Sequence, residues 1–404
     1  MTDKLITELP KAVDRQQLIQ DLMYIPQLGT YNTELERLSA LDNMYSFFLP
    51  NLMTLEIYRK ITLAINKSFS KKQNKQDIIQ KNSNFRRILQ IESSGIIGCS
   101  DTFLISGISG IGKTSTIHKI ISNYYNQIIE TTEPFQQIIP CVIVATPFDC
   151  SPKALLLEII HKVDEILETS YTPKTTPTLD ALIGMVGQIC LNHVGLLIID
   201  EIQNIVSHRA GSSLIKCITE LTNIAGISIC MVGTPACEPF FSNEVYLARR
   251  TIGLKYTAMD YDDEFKYFCR VLWEYQPLLE KTEITEIYYE WLYEHSAGIT
   301  ANIVALIHDA QEYAITTGYE KLDITMLNHV YNQRMFTMHK HINPILSLTP
   351  TVSQKHSTSH NLPPQNENIS DDYIISYTVK QSKFEGFNVI EKLKKYITIS
   401  EISL

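Results

Sequence analysis

The sequence contains no run approaching the roughly 18 uninterrupted apolar residues that a membrane-crossing helix needs. Its start, Met1-Thr-Asp-Lys followed by Glu8 and Asp14, has no apolar signal core. The expectation from these two absences is a cytoplasmic protein with no membrane partner. Cys-x-x-Cys pairs are also absent among the eight cysteines, Cys99, Cys141, Cys150, Cys190, Cys217, Cys230, Cys237 and Cys269. Several of these lie in apolar runs, so buried thiols in a reducing compartment are expected rather than a disulfide or zinc framework. A surplus of positive charge is missing too. The formal net charge is −9, which excludes a surface that grips nucleic acid everywhere, because phosphate neutralisation needs clustered Lys and Arg. A local basic face remains open.

What is present is an ordinary globular composition, 44% hydrophobic and 20% charged over 404 residues. That length suits one sizeable core plus a second small domain. Residues 1–40 are mixed and polar and read as an N-terminal arm. Residues 41–95 form a helical, basic extension: apolar residues recur at helical spacing through Leu52, Leu55, Ile57, Tyr58, Ile61, Ala64 and Ile65. They run into Lys67, Lys71, Lys72, Lys75, Lys81, Arg86 and Arg87, opposed only by Asp77. Such a charge run is either a solvated face or a contact for nucleic acid or a partner.

Residues 96–258 alternate short apolar runs with amphipathic stretches, as a parallel sheet covered on both faces requires. Strands are predicted at 102–106, 141–145, 194–199, 227–232 and 252–256. Helices are predicted at 114–125, 152–168, 179–193 and 212–224. Beyond Met259 the strands stop, and residues 259–336 read as an all-α lid. Its main helix carries Ile303, Leu306, Ile307, Ala310, Tyr313 and Ala314 on one face. Residues 337–372 are rich in Pro, Ser, Thr and Asn, a linker composition. Residues 373–404 mix Tyr373, Phe384 and Phe387 with Lys392, Lys394 and Lys395, as a docking tail would.

Between the first strand and its helix, Gly107, Ile108, Ser109, Gly110, Ile111, Gly112, Lys113 and Thr114 match G-x-x-x-x-G-K-[ST], with Ser115 next. The glycines let the loop wrap a β-phosphate with its N–H groups and the helix N-terminus. Lys113 would bring a point charge to the β and γ oxygens, and Thr114 a hydroxyl to Mg²⁺. Further on, Leu196-Leu-Ile-Ile-Asp-Glu201 is a buried strand that ends in two carboxylates. Asp200 would serve the Mg²⁺ shell, and Glu201 would orient and deprotonate the attacking water. ATP and Mg²⁺ are the implied substrate and cofactor. The expected fold is α/β, a P-loop NTPase of AAA+ type with a parallel five-stranded sheet and a small all-α lid.

The next strand ends Met231-Val-Gly-Thr234. This placement resembles the first sensor of AAA+ proteins, in which case Thr234 helps align water. Arg249 and Arg250, before the last strand, stand where AAA+ proteins place an arginine that reaches a neighbouring subunit's nucleotide. The sequence leaves open which of the two would be the finger. Ser296-Ala-Gly-Ile-Thr300 opens the lid helix without the arginine many AAA+ lids carry there. Gly298 and Ile299 would instead approach the adenine or cap the helix.

Taken in order, Tyr24-Ile-Pro-Gln-Leu-Gly-Thr30, Glu36-Arg-Leu38, the P-loop, Asp200-Glu-Ile-Gln203 followed by Ser212-Ser213, Gly233-Thr-Pro-Ala236, Ala248-Arg-Arg250 and Ser296-Ala-Gly-Ile299 resemble TnsC. TnsC is the AAA+ regulator family of bacterial transposons with a heteromeric transposase. The resemblance implies ATP-dependent assembly on double-stranded DNA as a homo-oligomeric ring or helical filament. It further implies that the N-terminal region meets a target-selecting protein and the C-terminal tail captures transposase. The tail is short beside the prototype's extension. Candidate DNA-facing cations are Lys153, Arg209 and Lys216, on elements projecting from the sheet.

Three other classes compete. Signalling P-loop ATPases pair this domain with a winged helix and a large repeat region, where this chain has only residues 337–404. Helicase loaders share the P-loop but have no reason to carry the element at 24–30. A structural DNA-coating protein that binds ATP without turnover would not need Glu201 or the arginine pair.

Overall fold

The computed structural model describes residues 9–89, 101–132, 135–175, 177–242, 248–249 and 251–342. The chain divides into Met1–Ser347 and Leu348–Leu404, and every described residue belongs to the first unit.

Before the sheet come two short helices, α1 (Arg15–Leu22) and α2 (Glu34–Leu41), a 3-10 turn at Asp42–Ser46, and the long α3 (Leu52–Leu89). α1 starts where the Asp14 carboxylate accepts from the Gln17 N–H. α2 starts on a capping box, Thr33 and Glu36 each accepting from the other's backbone N–H. The α/β region runs β1 (Thr102–Gly107), α4 (Lys113–Tyr124), β2 (Ile129–Thr132), β3 (Phe135–Ala145), α5 (Pro152–Leu167), α6 (Leu179–His193), β4 (Val194–Asp200), α7 (Gly211–Ala225), β5 (Ser228–Gly233) and β6 (Leu254–Tyr256). The lid follows as α8 (Asp263–Glu274), α9 (Glu286–Ser296), α10 (Thr300–Thr316) and α11 (Ile324–Arg334). No described helix is long and apolar enough to cross a membrane.

The sheet order is β2-β3-β4-β5-β1-β6. The five strands expected from the sequence, β1, β3, β4, β5 and β6, are present and mutually parallel. A sixth, β2, adds an antiparallel hairpin arm to β3 at one edge. The sequence conceals it because Ile129-Glu-Thr-Thr132 is a polar edge and Pro140 interrupts what then reads as a shorter strand.

Alternation along the strands sorts the core into two layers. Phe103, Ile105, Leu196, Ile198, Cys230 and Val232 face the side covered by α3 and α4. Leu104, Leu197, Ile199, Ile229 and Met231 face α5, α6 and α7. A period of two in strands buried on both faces gives this division directly. Among the described residues seven cysteines are buried and none is in a disulfide; burial pushes the Cys217 thiol up to about 12. Cys99 lies outside the described residues.

The N-terminal residues pack onto both the α/β region and the helices that follow it. Leu18 and Leu22 of α1 bury against α4, the helix after the P-loop. Tyr124 Oη donates to Asp21 Oδ2 at 2.7 Å, and Asn123 Nδ2 to the Asp21 carbonyl at 3.0 Å. Tyr24 and Phe48 exchange backbone hydrogen bonds of 2.9 Å each. α2 then crosses to α10, and Leu41 and Met44 complete the lid core. Within that lid the predicted helix face at Ile303, Leu306, Ile307, Ala310 and Ala314 is buried, while Tyr313 is partly covered and stacks on His329. Residues 337–342, the first six of the expected linker, turn back onto the lid and bury Ile342. The rest of the linker and the tail at 373–404 lie outside the described residues. Of the basic run, Lys67 pairs with Asp101; the side chains at Lys71, Lys72, Lys75, Lys81, Arg86 and Arg87 lie outside the description.

Candidate functional site

The C-terminal ends of β1, β4 and β5 lie side by side in the sheet, and each delivers one part of the site. From β1 the chain enters the loop 107–112, where Gly110 has φ +84° and Gly112 φ +90°. Both values sit in the left-handed region that a side chain resists. Gly112 is also the N-cap of α4 and offers no capping side chain. The first intrahelical bond is Thr116 N–H to Gly112 carbonyl at 2.9 Å. The N–H groups of Lys113, Thr114 and Ser115 therefore precede the helix ladder and remain for an anion.

Lys113 is 8% exposed, and its ammonium donates to the Gly107 carbonyl at 2.6 Å and the Ile108 carbonyl at 2.8 Å. Burial pulls its pKa below the usual lysine value, while Asp200 and Glu201 oppose the shift by favouring the charged form. Thr114 Oγ1 donates to Asp200 Oδ2 at 2.8 Å. A hydroxyl beside a carboxylate at the foot of a phosphate loop is the oxygen donor set Mg²⁺ takes, with substrate oxygens and water completing its shell. The residues present fit both ATP and Mg²⁺. Ile108 and Gly110 are half-buried, Ile111 is buried, and Ser109 and Ser115 are exposed along the loop and first turn.

Beyond β4 the backbone turns sharply. Glu201 has φ +57°, a left-handed conformation that costs a non-glycine residue about 1–3 kcal/mol and clusters at functional sites. It is held there by its N–H to Asp200 Oδ1 at 2.7 Å and by the Ile202 N–H to the Val232 carbonyl at 2.9 Å. Thr146 steadies the same turn, its N–H and Oγ1 both donating to the Asp200 carbonyl at 2.8 Å. Glu201 itself is exposed. Gln203, which the sequence marks only as part of a motif, donates from Nε2 to Glu201 Oε2 and accepts the Thr234 N–H on Oε1 at 3.2 Å.

The lid reaches the loop from the other side. Thr300 Oγ1 and the Ala301 N–H donate to the Gly110 carbonyl at 2.7 and 2.9 Å. Ile299 is the N-cap of α10, and its Cγ2 would lie 2.9 Å from any Cβ on Gly110. Ile299 thus covers the P-loop itself as well as capping the helix. Arg249 is exposed in the segment before β6, and Arg250 lies outside the described residues. Lys153, at the start of α5, Arg209, ahead of α7, and Lys216, on α7, are all exposed. None of the three forms an ion pair among the described residues.

A mostly parallel sheet with this strand order, a P-loop leading from β1 into α4 and two carboxylates at the end of β4, one strand removed from β1, define an AAA+ P-loop NTPase fold. Residues 101–241 match the family model described as an AAA domain. Among solved structures, the chain is similar to the Aeropyrum pernix ORC1 protein in complex with DNA, at 12% identity, covering 81% of this chain and 79% of that one with a TM-score of 0.43. It is similar to Drosophila ORC bound to DNA at 11% identity, over 96% and 83% of the two chains, with a TM-score of 0.47. Domain III of the Thermotoga maritima replication initiation protein DnaA is similar at 15% identity, over 58% and 83%, with a TM-score of 0.35. No curated protein matches the chain.

Proposed function

We propose that this chain is a Mg²⁺-dependent ATPase that assembles on double-stranded DNA and, like the TnsC family it resembles, links target selection to transposase recruitment. The observation that carries the ATPase reading is the contact of Thr114 with Asp200 at 2.8 Å below the P-loop, with Glu201 on the same turn. Bound ATP and Mg²⁺ supply the transferable phosphoryl group and the neutralising charge. The protein's part is positional and electrostatic, as phosphoryl transfer requires. Lys113 and the α4 N-terminus hold the phosphate oxygens, Thr114 and Asp200 hold the metal, and Glu201 takes the proton of the attacking water. Thr234 aligns that water from the end of β5.

Arg249, or its neighbour Arg250, acts on the nucleotide of an adjacent subunit, which makes turnover a property of the homo-oligomer. Lys153, Arg209 and Lys216 meet phosphates of the duplex; a few cations repeated around an assembly suffice despite the net charge of −9. The N-terminal region serves the target selector. Its exposed Tyr24, Ile25, Leu35 and Tyr45 support that role, as does a shallow groove of about 400 Å³ lined by Tyr31, Leu35, Glu36, Ser39, Ala40 and Asn43. The tail at 373–404 serves the transposase. Phosphate release by the purified chain, with and without duplex DNA and with Mg²⁺ removed, tests the activity. Turnover that needs Mg²⁺ and rises with DNA is expected; no turnover under any of these conditions would remove the ATPase reading.

A further inference from the structure

We infer that Gln203 is a positioning residue that ties the Glu201 carboxylate to the backbone of Thr234, so that the base and the first sensor move as one unit. The inference rests on the proposed role of Glu201 as base.

Gln203 is half-buried in the turn after β4. Its Nε2 donates to Glu201 Oε2, and its Oε1 accepts the Thr234 N–H at 3.2 Å. One planar amide therefore joins the ends of β4 and β5. Only a primary amide offers a donor and an acceptor from a single terminal group at this reach. Glutamate keeps the length and loses the donor, and asparagine keeps both but is one methylene shorter.

The surroundings favour this link. Glu201 sits at φ +57°, outside the regular backbone of strand or helix, so its side chain gains no direction from a ladder. The β5 end is shaped to admit the amide: a Cβ on Gly233 would come within 2.9 Å of Gln203 Oε1 and 2.7 Å of Ile202 Cγ2. Glycine at 233 is thus a requirement of close approach. The Thr234 carbonyl in turn accepts from Cys237, through N–H at 3.1 Å and Sγ–H at 3.0 Å, which anchors the peptide that follows the one whose N–H Gln203 holds. A base aimed this way depends on its support, because a displacement of about 1 Å near the reacting atoms costs on the order of 100-fold.

The test compares Q203A, Q203E and the isosteric Q203M with wild type and with E201Q, all as full chains. Steady-state turnover, affinity for ATP, affinity for ADP with aluminium fluoride, and melting temperature are measured. Loss of the link predicts that kcat falls about 10–100-fold while KM and ATP affinity stay within about twofold. Affinity for the fluoride complex, a transition-state analogue, falls with kcat while melting temperature holds. Q203E and Q203M, which fill the same space, do not restore turnover. Wild-type or faster turnover in Q203A, restoration by Q203M, or a loss confined to KM would overturn the inference. E201Q separates the premise: if it is inactive while Q203A is normal, Gln203 alone is excluded, and if E201Q turns over normally, both readings fall.

Discussion

Arg37 and Glu320 stand 283 positions apart in the sequence and form an ion pair of 2.7 Å, with their side chains 10% and 13% exposed. The pair fastens α2 of the N-terminal segment to the turn beyond α10. Glu320 also accepts from the Leu279 N–H, and its own backbone is left-handed at φ +56°. Removing one partner of a pair this buried leaves the other uncompensated, at a cost of about 3–5 kcal/mol. Arg37→Ala is therefore expected to lower the free energy of unfolding by an amount of that order in denaturant titrations. A change below about 0.5 kcal/mol, typical of surface sites, would show that the N-terminal segment does not depend on this contact.

The chain is expected to tolerate shortening after Ile342 but not after Phe336. Ile342 is fully buried in the lid core, and His339 Nε2 bonds the Tyr331 carbonyl at 2.9 Å. A chain ending at 342 is expected to keep ATP turnover and DNA binding while losing transposase recruitment in a pull-down. One ending at 336 loses the Ile342 contacts as well, worth about 2–5 kcal/mol if emptied like a large-to-small core substitution. Normal recruitment by the 342 chain would refute the role proposed for residues 373–404. Equal stability of the two chains would show that residues 337–342 do not belong to the lid.

His295 gives the lid a pH dependence. It stacks on Trp291 with ring centroids 3.9 Å apart, bonds the Trp291 carbonyl at 2.7 Å and packs edge-on against Tyr331. Burial depresses its pKa to about 4, against which the Trp291 hydrogen bond works only partly. The unfolded chain therefore binds the proton more readily than the folded one. The contribution of His295 to stability is expected to be full above about pH 6.5, to fall as the pH drops from there to about 4, and to change no further below, by roughly 3 kcal/mol in total. His295→Phe keeps the stack and removes the titration. The difference in unfolding free energy between wild type and His295→Phe should vary with pH across that window, and a constant difference would contradict the assignment.

The P-loop and the strand ending Asp200-Glu201 are legible in the sequence because their chemistry fixes both spacing and context: a buried strand, a glycine-bearing turn, a helix. The positions of α4, α5, α6 and α7 follow from their apolar periodicity to within a residue or two. The β2 hairpin is not legible, since an edge strand has no buried face to alternate and Pro140 mimics a strand end. Nor are Gln203 joining Glu201 to Thr234, Thr300 on the Gly110 carbonyl, or Arg37 on Glu320. These contacts join segments through the tertiary fold, and no local pattern marks either partner. The N-terminal residues are mixed in composition, yet Leu18, Leu22, Leu41 and Met44 show that even sparse apolar residues bury when a docking surface exists.

ATP held by the P-loop site is expected to drive assembly on DNA. The most direct test of this role is the sedimentation of wild type, Lys113→Ala and Glu201→Gln with duplex DNA and Mg²⁺, each with and without ATP. Large DNA-bound assemblies of wild type are expected only with ATP, and none for Lys113→Ala. For Glu201→Gln, which should bind ATP without cleaving it, assemblies that outlast those of wild type are expected. Assemblies of Lys113→Ala equal to those of wild type, or wild-type assembly indifferent to ATP, would contradict this role.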